Sequence, residues 1–247
     1  MPRGLLIGNT RWHWAERTGS QWCFDHGPPD GGRLATALNQ AGLVWAAVGA
    51  VPAAPARDDR NRLTIEHVPL AGCPAWLGVD RALGAWAAWE LSRRSGMDLG
   101  SGLLLADAGT VLSLTLLNAD GTFVGGQLIP GLRLQLASMA AGTAALACPD
   151  GWDEPPDLFP RDTAAAMVRG ALQAMASVVG DAQRRTGACL WICGGDGDVL
   201  ERQLRRPGSA AIEQDVTTDA DLVLKGLAQW IERVNPCLLY TSPSPRD

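Results

Sequence analysis

GLLLADAGTVLSLTLLNADGTFVGGQLI, residues 102–129, carries the reading that decides the fold. Its first nine residues form an apolar run that breaks at Asp107 and turns at Gly109, the pattern of a buried strand entering a tight turn. VLSLTLLN then predicts a second strand, NADG (118–121) a hairpin turn, and TFVGGQLI a returning third strand. The N-terminus opens the same way. Residues 4–8 read as a strand into Gly8-Asn9-Thr10, RWHWAE (11–16) alternates with period two, and QWCFDH (21–26) supplies a third strand. Two such units, about 100 residues apart, predict a duplicated α/β domain whose glycine turns face one cleft.

The remaining segments fill in each unit. Helices are expected at about 31–40, 81–94, 131–141, 162–185 and 219–234. Leu83, Trp86, Ala87 and Glu90 in the second of these share one helical face. LVWAAVGA (43–50), RLTIEHVPL (62–70) and GACLWICGG (187–195) read as strands, and VPAAPARDDRN as a loop. The expected halves are residues 1–100 and 101–234. The closing NPCLLYTSPSPRD holds the chain's single tyrosine and two Ser-Pro steps, and it resembles translated cloning sequence. Residues 235–247 are therefore expected to be a non-native, disordered tail.

Composition narrows the function classes. At 247 residues with 47% hydrophobic and 19% charged side chains, the chain can bury a sizeable core. A net charge of −5 offers no basic field to attract nucleic acid. No apolar run reaches membrane-spanning length, and the N-terminal apolar stretch is too short for a signal peptide. The six cysteines are scattered, and CLWIC lacks the spacing and the second pair of a zinc site. These features predict a soluble, cytoplasmic protein with reduced thiols.

Several short strings carry chemistry. In ADAGT (106–110), Asp107 can hold a cation beside a glycine turn whose N–H groups cradle an oxyanion, with Thr110 adding a hydroxyl. The alternative is an Asp-Gly turn with no ligand. GGQLIPG (125–131) and GGDGD (194–198) place further glycines at strand ends, so that turns at 8, 109, 125 and 194 together favour a nucleotide cleft. LGVDR (77–81) sets Asp80 at a helix start, either as a cap or as a general base taking a proton from a hydroxyl. Arg81 beside it could pair with a carboxylate or a phosphate. His13 and His67 read as strand residues and His26 as a turn residue, and no two have metal-ligand spacing. Trp12 and Trp14 flank a glycine turn and could reach the cleft, while Asp153, Glu154 and Asp157 read as a solvated acidic loop.

Taken in order, IGNTR, LGVDR, DAGT, GGQLIPG, GTAAL, DTAAAMVRG, the glycine pair at 194 and LVLKGL resemble a type III pantothenate kinase across about residues 4–233. The resemblance implies two RNase H-like halves of the acetate and sugar kinase/Hsp70/actin-like fold, with ATP between them. It implies ATP-dependent phosphorylation of pantothenate to 4'-phosphopantothenate, the first step of coenzyme A synthesis, by a homodimer needing Mg²⁺ and a monovalent cation (K⁺ or NH₄⁺). Carried over by position, Asp80 matches the catalytic base and Gly78, Val79, Asp80 and Arg81 the pantothenate segment, with Thr163 a further substrate contact. Gly8, Asn9, Thr10 and Thr110 match ATP contacts, and Asp107 the cation residue. The family's first motif usually reads Asp-x-Gly-Asn-Thr, whereas Leu6 stands in the acidic place here. Ser113 and Thr115 stand where threonine and aspartate usually follow DAGT, and Trp76 is the nearest aromatic before GVDR. A catalytically silent relative that binds nucleotide or pantothenate is the alternative that Leu6 leaves open.

Overall fold

The computed structural model describes residues 3–40, 42–53, 61–151, 153–206 and 216–234. The expectation for 235–247 lies outside these residues. The chain divides into two compact units, one of residues up to Leu91 together with those from Asp221, the other Ser92–Ala220.

In the first unit β1 (Arg3–Ile7), β2 (Trp12–Thr18) and β3 (Gln21–Gly27) form an antiparallel meander, and β4 (Leu43–Ala47) adds parallel to β1 after α1 (Gly31–Leu38) crosses over. The strand order is β3-β2-β1-β4. Alternation decides which side chains enter the core: Leu5 and Ile7 of β1 and Trp12 and Trp14 of β2 pack with Leu34, Leu43 and Trp45. The two tryptophans thus lie in the core and do not reach an open surface. Asp30 caps α1, its carboxylate accepting the Arg33 N–H at 2.9 Å.

The second unit repeats the plan. β5 (Leu103–Ala108), β6 (Val111–Leu117) and β7 (Phe123–Pro130) form the meander, β8 (Cys189–Cys193) lies parallel to β5, and β9 (Val216–Thr218) extends the edge. The order β7-β6-β5-β8-β9 contains the first sheet's order in its first four strands. This is the expected pair of RNase H-like folds, each a mixed sheet flanked by helices. α3 (Leu132–Gly142) and the 24-residue α4 (Thr163–Thr186) bury Leu136, Met167, Leu172, Met175 and Val179 against Leu104, Leu112 and Leu114. Asp162 caps α4 through the Ala165 N–H, and Gly187 ends it in the left-handed region at φ 65°.

Some sequence expectations do not hold. RLTIEHVPL contributes one isolated parallel bridge, Arg62 with Trp45, and one 3₁₀ turn, Ile65–His67, because the Thr64 N–H donates to His67 Nδ1 at 3.0 Å and folds the segment on itself. His67 is therefore a turn residue, and His26 a strand residue. Gly125 and Gly126 lie inside β7, opposite a register shift at Leu116/Leu117, so they mark an irregular strand pairing and no turn. α2 (Val79–Arg94) buries Leu83, Trp86 and Ala87 of the expected face, and Ala82, Ala85, Ala88 and Trp89 as well, so the burial extends beyond that one face. The acidic loop is held rather than merely solvated: Glu154 pairs with Arg202 at 3.2 Å and Arg206 at 3.3 Å. The short α5 (Gly197–Leu204) and β9 follow β8. α6 (Leu222–Val234), expected with the second half, packs on β1 and β2, and Trp22 Nε1 donates to Glu232 at 2.8 Å.

Candidate active site

In the first unit the turn after β1 is built by close backbone approach. The Gly8 N–H donates to the Arg11 carbonyl at 3.1 Å, closing a loop that leaves Asn9 and Thr10 exposed at its tip. From the neighbouring strand, Val48 and Gly49 both donate their N–H groups to the Ile7 carbonyl, at 3.0 and 3.1 Å. A Cβ on Gly49 would lie 2.6 Å from the Gly8 carbonyl carbon, so this position takes no side chain. Gly49 read as a strand residue in the sequence. Only its spacing after a buried strand, matching GG after CLWIC, could have marked it.

Asp80 lies in the first turn of α2, partly buried, and its Oδ1 accepts the Arg81 N–H at 2.8 Å. The carboxylate folds back over Gly78, where a Cβ would sit 2.5 Å from Oδ1. Burial pushes the Asp80 carboxyl above its ordinary value, and the N–H bond and charge of Arg81 offset only part of that. A cavity of about 320 Å³ opens beside this turn, lined by Val48, Arg62, Thr64, Leu77, Gly78 and Val79 among others. Arg62 stacks over Trp45 with its guanidinium carbon 5.0 Å from the ring centroid. Arg81, by contrast, is 8% exposed. Of the two arginines, Arg62 is the one on the cavity wall. It was hidden in the sequence as the first residue of an expected strand.

In the second unit, Asp107 is partly buried at the end of β5, and Gly109 and Thr110 form the turn that follows. Gly194, at φ 89°, passes so near that a Cβ would lie 2.5 Å from Asp107 Oδ1 and 2.6 Å from the Ala108 carbonyl carbon. Gly131, the residue before α3, brings its N–H to the Thr110 carbonyl at 3.1 Å. The Asp196 N–H donates to the Ala108 carbonyl at 2.9 Å, as Gly49 does to Ile7 in the first unit. Both glycine turns are therefore braced from the parallel neighbour strand. Thr163 is exposed on the first turn of α4.

The donor sets at the two turns differ. Asp107 presents a carboxylate beside exposed backbone, which suits a hard cation that takes its other ligands from phosphate and water. Leu6 is 5% exposed and apolar, and it supplies no ligand. Among the described residues no cluster of three or more His, Cys, Asp or Glu side chains is built to hold a metal. No described helix is long and apolar enough to cross a membrane.

A family profile described as Type III pantothenate kinase matches residues 65–185. A Type III pantothenate kinase of Synechocystis is 33% identical over 237 residues, covering 91% of this chain and 88% of its own length. Another, from Synechococcus strain JA-2-3B'a(2-13), is 36% identical over 197 residues, 76% of this chain and 72% of its own. Among solved structures, a conserved putative Baf family transcriptional activator from Campylobacter jejuni superposes with a TM-score of 0.60 at 15% identity, covering 95% of this chain and 99% of its own. The ADPNP-bound activator of the 2-hydroxyisocaproyl-CoA dehydratase from Clostridium difficile gives 0.53 at 11% identity, over 99% of both chains. At these identities the solved structures speak for the fold alone.

Proposed function

The chain belongs to the type III pantothenate kinase family, and from that premise we propose how its residues divide the work of phosphorylating pantothenate with ATP. It is a pantothenate kinase, acting at the entry to coenzyme A synthesis. The relatives that cover most of its length carry that name, and none of them favours the catalytically silent reading.

Asp80 is the base. Transfer of a phosphoryl group to an alcohol requires the hydroxyl proton to leave, and a carboxylate whose proton affinity is raised by burial accepts it more readily than an exposed one. The observation that carries the reading is this carboxylate, folded over Gly78 at the edge of a cavity large enough for a small linear molecule. Gly78, Val79 and Arg81 shape that segment, and Arg62 on the cavity wall is the better placed partner for the pantothenate carboxylate. Thr163 is a further substrate contact.

The turns Gly8-Asn9-Thr10 and Gly109-Thr110 offer backbone N–H groups and hydroxyls to ATP phosphates, and both are held rigid by their neighbour strands. Asp107 is the residue for the monovalent cation, K⁺ or NH₄⁺. A divalent ion bound with the nucleotide supplies charge neutralisation on the transferring phosphate. The active form is a homodimer.

A coupled ADP-release assay with pantothenate, Mg²⁺ and K⁺ tests the reading. Pantothenate-dependent turnover is expected. Tight ATP binding without turnover would return the chain to a binding role.

A further inference from the structure

The first phosphate turn lacks an acid, yet a polar group stands next to the vacated position. Leu6 of β1 pairs across the ladder with His13 of β2, on the same sheet face. In the second unit the equivalent pair is Asp107 of β5 with Ser113 of β6. One copy thus pairs an acid with a small hydroxyl, and the other pairs an apolar residue with an imidazole. The polar function has moved one strand over.

His13 is aimed by a chain of hydrogen bonds. His26, its partner on β3, sits with Nδ1 2.6 Å from His13 Nδ1, and His26 Nε2 is 2.8 Å from Asp221 Oδ1 just before α6. The Asp221 carboxylate accepts, so His26 carries its proton on Nε2. In the arrangement with one proton per ring, His26 Nδ1 is then the acceptor, and the proton between the rings belongs to His13 Nδ1. That leaves His13 Nε2 as a lone pair. Burial is the main cause that holds the His13 pKa down to about 4, so the ring stays neutral. Nε2 lies against the turn, 3.2 Å from where a Cβ of Gly8 would be.

We propose that His13, oriented by His26 and Asp221, is the hydrogen-bond acceptor that replaces the missing acid and orients a water of the hydrated divalent cation carried by the bound nucleotide. A carboxylate at position 6 would act on such an ion through one of its waters, and a neutral imidazole nitrogen can accept the same hydrogen bond. The proposal rests on the first turn being a nucleotide-phosphate turn. His13 is the binding residue, and His26 and Asp221 are positioning residues.

The test uses the full chain and ADP binding by calorimetry across a Mg²⁺ series. For His13→Ala, Mg²⁺-dependent ADP binding weakens about tenfold or more, the usual loss for an outer-shell partner of a metal, while metal-free ADP binding stays at the wild-type value. The Leu6→Asp/His13→Ser double variant, which copies the pairing of the second unit, recovers the Mg²⁺ dependence. The exposed His26→Phe gives a smaller loss and is a second probe if the His13 variant fails to fold. In the unaltered chain, imidazole ¹⁵N spectra show His13 protonated at Nδ1 and His26 at Nε2, with the His13 Nε2 signal moved by ADP plus Mg²⁺ and not by ADP alone. Unchanged Mg²⁺ dependence in His13→Ala, or a proton on His13 Nε2, would overturn the proposal. Absence of any ADP binding by the unaltered chain would instead remove the nucleotide reading beneath it.

Discussion

Asp80 holds two jobs in one side chain. It accepts a helix N–H, which is a cap's work, and its carboxyl is held above the ordinary value by burial. The two can be separated by substitution. Asp80→Asn keeps an oxygen for the Arg81 N–H and removes the buried charge. Because the folded-state pKa is raised, the ionised carboxylate lowers stability at neutral pH, so the variant should melt higher while kcat falls by about 10²-fold or more. A lower melting temperature with unchanged turnover would reduce Asp80 to a cap. The same raised value means that kcat/KM falls, as pH drops, at a higher pH than an ordinary carboxylate would give, and this acid limb should vanish in Asp80→Asn. Gly78→Ala tests placement rather than chemistry. Its Cβ would lie 2.5 Å from Asp80 Oδ1, so the carboxylate must turn away, and kcat should drop with little change in ADP affinity. Asp107→Asn should weaken activation by potassium, read as a raised half-saturating K⁺ concentration in the ADP-release assay.

Elements were readable where periodicity was strong and local. Three hairpins announced themselves through Gly8, Gly109 and the Asn118–Gly121 turn, where the Asn118 side chain takes the N–H groups of Asp120 and Thr122. Residues 62–70 misled because their alternation resembles a strand, while the Thr64–His67 bond ties them into a turn that no periodicity reports. Of the candidate site, Asp80, Asp107 and the two glycine turns were legible as motifs. Gly49, Arg62 and the His13–His26 pair were not, because each acts through a neighbour far away in sequence. The crossing of α6 over α2 is another such case. A Cβ on Gly226 would lie 2.9 Å from the Leu83 carbonyl carbon, so the two helix backbones meet there. Gly226→Ala should cost about 1–3 kcal/mol in denaturant unfolding, the usual range for overpacking. An unchanged midpoint would mean that the helices part without penalty.

For the molecule as a whole, the sequence foretold a repeated strand–turn–strand–strand unit, and the structure gives both copies the same strand order, 3-2-1-4. The exchange of one helix was not foreseen, since distance along the chain does not say which sheet a terminal helix covers. α6 belongs to the unit that the N-terminus begins. Deleting residues from Asp221 onward should therefore raise amide exchange in β1 and β2 while β5 and β6 keep their protection, a pattern that mass spectrometry of peptides can resolve. Equal loss in both sheets would mean that the units stand or fall together.

The late position of α6 also has a consequence during synthesis. Leu91 leaves the ribosome long before Leu222, and at about 5–20 residues per second the interval is roughly 7–26 seconds. Through that time the Gly4 face of β1, which α6 covers with Leu227 and Ile231, has no lid of its own. The second unit has all its strands and helices within one continuous stretch. The half translated later can thus be the first to finish folding, and the N-terminal sheet, with its phosphate turn, is completed only when α6 has emerged.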